Sequence, residues 1–157
     1  MDKLWAPWRA NYINNVNKSK GCIFCLAKKG KSKDYVIFKT LFSIVMLNIY
    51  PYNNGHLLIS PLRHIHDISG MQEEEILDLF GCLNKAKSLL QKVLKPQGYN
   101  IGLNLNRVAG AGIVGHLHLH IVPRWAGDAN FMPVVFGTKV ISQSLGQLAE
   151  KLKDANR

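Results

Sequence analysis

The run Gly115-His116-Leu117-His118-Leu119-His120-Ile121-Val122-Pro123 decides the reading of this chain. It places three of the six histidines at alternate positions. In a strand, side chains alternate between the two faces of the sheet. The spacing therefore predicts a strand with His116, His118 and His120 on one face and Leu117, Leu119 and Ile121 on the other. The leucine face can be buried, which leaves the imidazoles in a row on a rigid element. Imidazole is a nucleophile, a proton carrier near neutral pH and a metal ligand. A merely solvated, histidine-rich face is the plain alternative; three in strict alternation argue against it.

Outward from that run, Tyr35-Val36-Ile37-Phe38 and Phe42-Ser43-Ile44-Val45-Met46-Leu47 read as a hairpin turning at Lys39-Thr40-Leu41. Pro51-Tyr52-Asn53-Asn54-Gly55 is turn chemistry, followed by a short strand over His56-Leu57-Leu58-Ile59-Ser60. Tyr99 to Leu105 reads as a further strand. Ser69 with Gln72 suggests a capping box. After it Ile76, Leu79, Phe80, Leu83, Ala86, Leu90, Val93 and Leu94 form one apolar stripe, ended by Pro96 and Gly98. Residues 139–153 look like a terminal helix, Phe131 to Phe136 are ambiguous, and residues 1–34 are loop-like. The fold class is α+β: an antiparallel sheet of five strands with one long central helix and a C-terminal helix.

The 157 residues suit a single domain, residues 1–157. With 47% apolar and 19% charged residues the composition is that of an ordinary globular protein. No stretch has the length of a membrane span and the N-terminus has no signal-peptide core, so a cytoplasmic location is the default expectation. The formal charge is +10, and seven lysines lie between Lys18 and Lys39 against one acid, Asp34. Such a field attracts nucleic acid, nucleotides or anionic lipid, or it simply keeps a loop solvated.

Just before the histidines runs Asn104-Leu105-Asn106-Arg107-Val108-Ala109-Gly110-Ala111-Gly112-Ile113. Glycines let backbone N–H groups approach an anion. Alone such a loop is usually a turn. Feeding three imidazoles, it reads as a phosphate cradle, and the reaction it suits is imidazole attack on phosphorus. Separately, Cys22-Ile23-Phe24-Cys25 has the spacing of half a zinc site. His64 and His66 lie in reach along the sequence, and a redox pair or two unrelated thiols are the alternatives. Cys82, within the helical pattern, reads as a small buried apolar residue.

His116 to Val122 resembles the signature of the histidine triad (HIT) superfamily. Asn48 with Gly55-His56-Leu57-Leu58-Ile59 is similar to its first nucleotide-binding segment. Leu4 to Arg9, Gly98 to Asn104 and Pro123 to Phe131 resemble the bacterial diadenosine tetraphosphate phosphorylase-like branch. The resemblance implies that His118 attacks the α-phosphorus of a dinucleoside polyphosphate to give a nucleotidyl-histidine, released by water or phosphate. His120 would hold the phosphate near the leaving oxygen and help donate a proton, and Asn48 would hold the ribose. Met46, Leu47 and Leu58 would flank the base, although Leu58 fits a core strand equally well. His56 would order the site or serve as a satisfied structural histidine. Ile113 stands where relatives carry a phosphate-binding Ser or Thr, so N–H groups around Gly110 and Gly112 must substitute. Leu105 stands where an amide or hydroxyl is expected, so Asn104 or Asn106 must supply it, with Asn104 preferred.

For the metal, the resemblance implies Cys22, Cys25, His64 and His116 around a structural Zn2+ anchoring the N-terminal segment, with His66 left to solvent. It also implies a homodimer, with the Trp-rich N-terminus or the C-terminal segment reaching a neighbour's site. Adenosine polyphosphates are the expected partners and nucleic acid is not. Hydrolysis of nucleoside phosphoramidates, or a nucleotide- or nucleic-acid-binding module with little turnover, are the competing functions. The catalytic readings depend on residue 118 presenting an unligated ring nitrogen.

Overall fold

The computed structural model describes residues 21–31, 35–113, 115–128 and 141–157. Expectations that rest on Leu4 to Arg9 or on Phe131 to Phe136 lie outside them. The elements in chain order are α1 (Ile23–Lys28), β1 (Val36–Lys39), β2 (Ser43–Leu47), β3 (Leu57–Pro61), a 3-10 turn (Ile68–Gly70), α2 (Glu73–Leu94), β4 (Gly98–Leu103), β5 (Leu119–Arg124) and α3 (Leu145–Ala155). The strands form one antiparallel sheet in the order β1-β2-β3-β5-β4, as the α+β reading expects. None of the described helices is long and apolar enough to cross a membrane.

Every residue of β2 and β3 is buried, because both faces of the sheet are covered. On one face α2 and α3 close a core that includes Leu47, Leu57, Ile59, Leu83, Leu90, Leu119 and Ile121. On the other, α1 lays Phe24 and Ala27 against Ile44, Met46 and Leu58. The first 34 residues thus contain a helix where the sequence suggested only loop.

Two further expectations need correction. The capping box of α2 is three residues later: the Glu75 carboxylate accepts from the Gln72 N–H at 2.9 Å, and Arg63 pairs with Glu75 at 2.6 Å. Ser69 instead donates to Asp67 in the preceding turn. The buried stripe of α2 is also rotated. Cys82 and Leu89 face the core, whereas Ile76, Leu77 and Phe80 are exposed.

The triad strand is shorter than the alternation predicts. β5 begins only at Leu119, and His116, at a bend, and His118 precede it. The reason is local to β3. Its pairing with β5 stops at Ile59–Leu119, the Ser60 hydroxyl takes over by donating to the Leu117 carbonyl at 2.8 Å, and Pro61 has no N–H to offer. The Leu117 N–H turns to the Ile65 carbonyl at 2.7 Å.

The turn before β3 depends on Gly55. Its φ of +77° is a left-handed conformation, and a Cβ there would sit 2.5 Å from Leu94 Cδ1 and 3.1 Å from Leu90 Cδ2 and Pro123 Cγ. Gly55→Ala should lower the unfolding free energy by roughly 1–3 kcal/mol in urea titration, from backbone strain plus overpacking. An unchanged midpoint would contradict this packing.

Candidate active site and metal centre

The site lies on the face of the sheet away from α2. Cross-strand pairing puts Met46, Leu58, His120 and Gly102 in one row, and directly paired residues share a face. Asn48 and His56 follow beyond Met46 and Leu58 on the same face. Leu47 does not join them: alternation sends its side chain into the helix-side core.

Hydrogen bonds fix the tautomer of each triad imidazole, because a carbonyl oxygen can only accept. His116 Nε2 lies 2.8 Å from the Pro61 carbonyl, so Nε2 carries the proton and Nδ1 is left bare. His118 Nδ1 lies 2.8 Å from the His116 carbonyl, so Nδ1–H donates and Nε2 is left bare. Among the described residues nothing else bonds that nitrogen. His118 is 4% exposed and its ring packs 5.4 Å from that of Phe24. The imidazole face is thus covered by α1 rather than open along its length. Burial lowers the pKa of both His116 and His118, which keeps the rings neutral near pH 7.

A second relay runs through His56, which is fully buried. The Tyr52 N–H donates to His56 Nδ1 at 3.1 Å, and the Asn48 amide nitrogen lies 3.2 Å from the same atom. The Tyr50 N–H donates to Asn48 Oδ1 at 2.9 Å, which orients that amide. His56 therefore carries its proton on Nε2 and donates it to His120 Nδ1 at 2.8 Å. The proton of His120 is left on Nε2, which is buried and has no hydrogen-bond partner among the described residues. Burial first, then the neighbouring imidazoles, push His56 down to about 3 and His120 to about 4. The result is a bare nitrogen on His118 beside an N–H on His120, with ring centroids 4.9 Å apart.

The Gly-rich loop borders this pair. Asn104 is half-buried, with its amide 4.0 Å from where a Cβ of Gly110 would lie, whereas Asn106 is exposed. Asn106 and Gly110 both have positive φ, a conformation that turns N–H groups inward. Gly112 is exposed, while Ile113 packs against the Phe24–Met46–Leu58 cluster.

Cys22, Cys25, His64 and His116 bring one ligand atom each to within 4.8 Å of one another. His116 Nδ1 lies 3.1 Å from Cys22 Sγ and 3.1 Å from His64 Nδ1, and Cys25 Sγ lies 3.3 Å from His64 Nδ1. Zn–S and Zn–N bonds of ordinary length give tetrahedral edges of roughly 3.3–3.8 Å, so the four donors suit a tetrahedral dication. The bare Nδ1 of His116 is the nitrogen that faces the sulfurs. The Pro61 carbonyl behind it is the kind of outer partner that orients metal-bound imidazole. His66 is exposed and outside the cluster.

Sequence reading missed three contributors. The Pro61 and His116 carbonyls carry no side-chain signature. Phe24 sits inside the cysteine pair and was read only as spacing. Of the lysine-rich segment, Lys39 caps α1 through the Ala27 and Lys28 carbonyls and Lys28 donates to the Leu62 carbonyl. Those two charges serve packing as well as field.

The HIT domain family matches residues 29–127. The chain belongs to the HIT family. Over 92% of this HIT chain and 79% of the relative, it is 35% identical to the "AP-4-A phosphorylase" of Mycobacterium tuberculosis strain H37Rv. It is 31% identical to "Adenosine 5'-monophosphoramidase hnt1" of Schizosaccharomyces pombe, over 66% of this chain and 74% of that protein. The crystal structure of a Zn-bound histidine triad family protein from Mycobacterium smegmatis shares the fold, with a TM-score of 0.70, 24% identity, and coverage of 86% of this chain and 92% of that one.

The neutral imidazoles make stability depend on pH. In the unfolded chain His56 titrates near 6.5, whereas in the fold it stays neutral to about 3. Between these values the unfolded chain binds more protons, so stability is full above about pH 6.5 and falls as pH drops. Urea titrations from pH 7 to 4 should give a slope steeper in the wild type than in His56→Gln, by as much as about 1.4 kcal/mol per pH unit. Equal slopes would contradict a buried neutral imidazole at this position.

Proposed function

We propose that this HIT protein transfers a nucleotidyl group from a dinucleoside polyphosphate of the diadenosine tetraphosphate type to His118, and from there to phosphate or water. The observation that carries the reading is the pairing of a bare His118 Nε2 with an unpartnered His120 Nε2–H. The name of the M. tuberculosis relative supports the substrate class, whereas that of S. pombe hnt1 matches the phosphoramidate alternative.

The steps follow from the tautomers. The lone pair of His118 Nε2 bonds to the α-phosphorus and the bond to the bridging oxygen breaks. The ring becomes cationic, and the His116 carbonyl accepting from Nδ1–H stabilises that charge. His120 Nε2–H donates a hydrogen bond to the departing oxygen. A polyphosphate leaves as a stable anion, so the weakly basic His120 need not surrender its proton. Phosphate, or water losing its proton to solvent, then attacks the same phosphorus and restores His118. A phosphoramidate would expel an amine that needs a proton, which favours the polyphosphate over that alternative. Asn48 holds the ribose, Met46 and Leu58 flank the base with Phe24, and N–H groups near Gly110 and Gly112 with Asn104 receive the phosphate.

In the same reading Cys22, Cys25, His64 and His116 hold Zn2+. Four protein ligands make a closed, structural site that ties α1 and Phe24 to the approach of the catalytic histidines. Burial pushes the Cys22 thiol up, and a bound dication would supply the charge that deprotonates it. The reading treats residues 1–157 as one domain with residues 1–34 as its zinc-anchored arm. It places the protein in the cytoplasm, where thiols stay reduced. It also makes it a homodimer through β4. That edge strand exposes Ile101, and Tyr99 beside it meets Lys87 and Gln91 of α2, whose stripe continues into exposed Leu77 and Phe80.

Three measurements test this. With diadenosine tetraphosphate, ADP appearing only when phosphate is supplied identifies a phosphorylase, and ATP plus AMP a hydrolase. His118→Ala should lower turnover at least 10³-fold, about 4 kcal/mol of barrier, and wild-type rates in that variant would remove the proposal. Elemental analysis should find one zinc per chain, lost in Cys25→Ser with a lower Tm; a metal-free, equally stable wild type would contradict the metal centre. Light scattering should give a dimer that Phe80→Glu dissociates, and a wild-type monomer would contradict the interface.

A further inference from the structure

Beyond His120 on the catalytic face lies a cleft of about 270 Å³ lined by Tyr52, Asn53, Asn100, Val122 and Arg124. None of the steps above uses it. Its position follows from the sheet. The apolar cluster assigned to the base sits on β2 and β3, beneath α1. His120 is on β5 and His118 just before it, and the cleft lies over β5 and β4, walled by Tyr52 and Asn53 of the β2–β3 connection. Val122 and Arg124 share the face of His120 by alternation along β5. A ligand whose base lies over β2 and whose phosphorus lies over β5 has this cleft next in line toward β4.

The floor of this region is left bare. On β4, Gly98, Asn100 and Gly102 pair with Arg124, Val122 and His120 and so share the catalytic face. A Cβ at Gly98 or Gly102 would meet nothing within 4 Å. Neither glycine is required by a positive φ, so what their absence of side chain provides is open space. Asn100, between them, is the one side chain this strand offers.

The walls suit an anion with an aromatic end. Tyr52 lies over His120 with ring centroids 5.7 Å apart and planes 16° apart, and it is 56% exposed. Its ring therefore joins the acid-bearing imidazole to the cleft and offers a stacking surface to solvent. Arg124 is held rigidly: Nε and Nη2 donate to Asp128 at 2.6 and 2.9 Å, and Nη1 donates to Asn100 Oδ1 at 2.6 Å. Three of its five N–H groups are so engaged. Among the described residues nothing engages the other two, which are placed for a phosphate on a guanidinium that loses little freedom on binding. Asn53 braces the same Asp128 at 2.8 Å and the Pro123 carbonyl at 3.0 Å.

We propose that the cleft between Tyr52, Asn100 and Arg124 is the subsite for the leaving nucleotide, taking its phosphates at Arg124 and Asn100 and its base against Tyr52. The inference rests on the nucleotidyl-transfer reading and adds a selectivity to it. A long, charged leaving group should be favoured over a short one by contacts that the short one never reaches.

The test compares kcat/KM for diadenosine tetraphosphate with kcat/KM for the p-nitrophenyl ester of AMP, which shares the nucleotidyl half and has a small leaving group. Asn100→Asp puts a negative charge on the floor, and Tyr52→Leu removes the ring while keeping the backbone N–H that serves His56. Each should lower the ratio of the two kcat/KM values at least tenfold, chiefly through KM of the dinucleotide. Asn100→Asp should also weaken competitive inhibition by ATP against the ester. A ratio within threefold of wild type in both variants would overturn the subsite while leaving nucleotidyl transfer intact. A wild-type protein that cleaves neither substrate would overturn the underlying reading, and the subsite with it.

Discussion

Two backbone carbonyls set the chemistry of this protein. Pro61 O holds the proton of His116 on Nε2, and His116 O holds the proton of His118 on Nδ1. An imidazole has one proton to place when neutral, so each bond decides which nitrogen is left bare. At His116 the bare nitrogen faces two cysteines, and at His118 it is left beside the His120 ring. One residue apart in role and two apart in sequence, these rings cannot exchange functions without turning over, and the carbonyls prevent that. Both carbonyls are available because the β3–β5 ladder ends early. Pro61 cannot extend it, and the His116 peptide is left outside it.

Burial supplies the second half of the arrangement. The chain is strongly basic, with a net charge of +10, and a cationic imidazole row would add to that charge. The site is instead packed so that desolvation keeps His56, His116, His118 and His120 neutral. A neutral His118 is a nucleophile; a protonated one is not. Phe24 on α1 is the main cover, and α1 is positioned by the same cysteine pair that faces His116. The cysteine–histidine cluster and the His118–His120 pair are thus two ends of one packed unit.

Much of this was legible in the sequence because it depends on spacing. Alternate histidines, a cysteine pair two residues apart and turn residues at Pro51–Gly55 carry their geometry with them, and the five strands fall close to where their apolar runs lie. The misreadings share a physical origin. The resemblance puts Leu47 with Met46 at the base, although neighbours on a strand face opposite ways and Leu47 lies in the helix-side core. Ile76 and Phe80 fit the helical period of α2 as well as Cys82 and Leu89 do. Only packing against the sheet decides which stripe is buried, and pattern alone cannot see a second surface. The helix over Ile23–Lys28 was missed because a short helix made by a tertiary contact has weak local signals. The early end of the triad strand depends on Ser60 and Pro61, more than fifty residues away.

Covalent transfer to one atom, His118 Nε2, is the step on which the proposed reaction turns. Rapid quenching during turnover of diadenosine tetraphosphate, followed by peptide mapping by mass spectrometry, tests it directly. The account predicts one adenylyl group on the peptide that carries His118, bonded through Nε2, appearing before product and absent from His118→Ala. Product formed with no modified peptide, or the group found on His116 or His120, would contradict it.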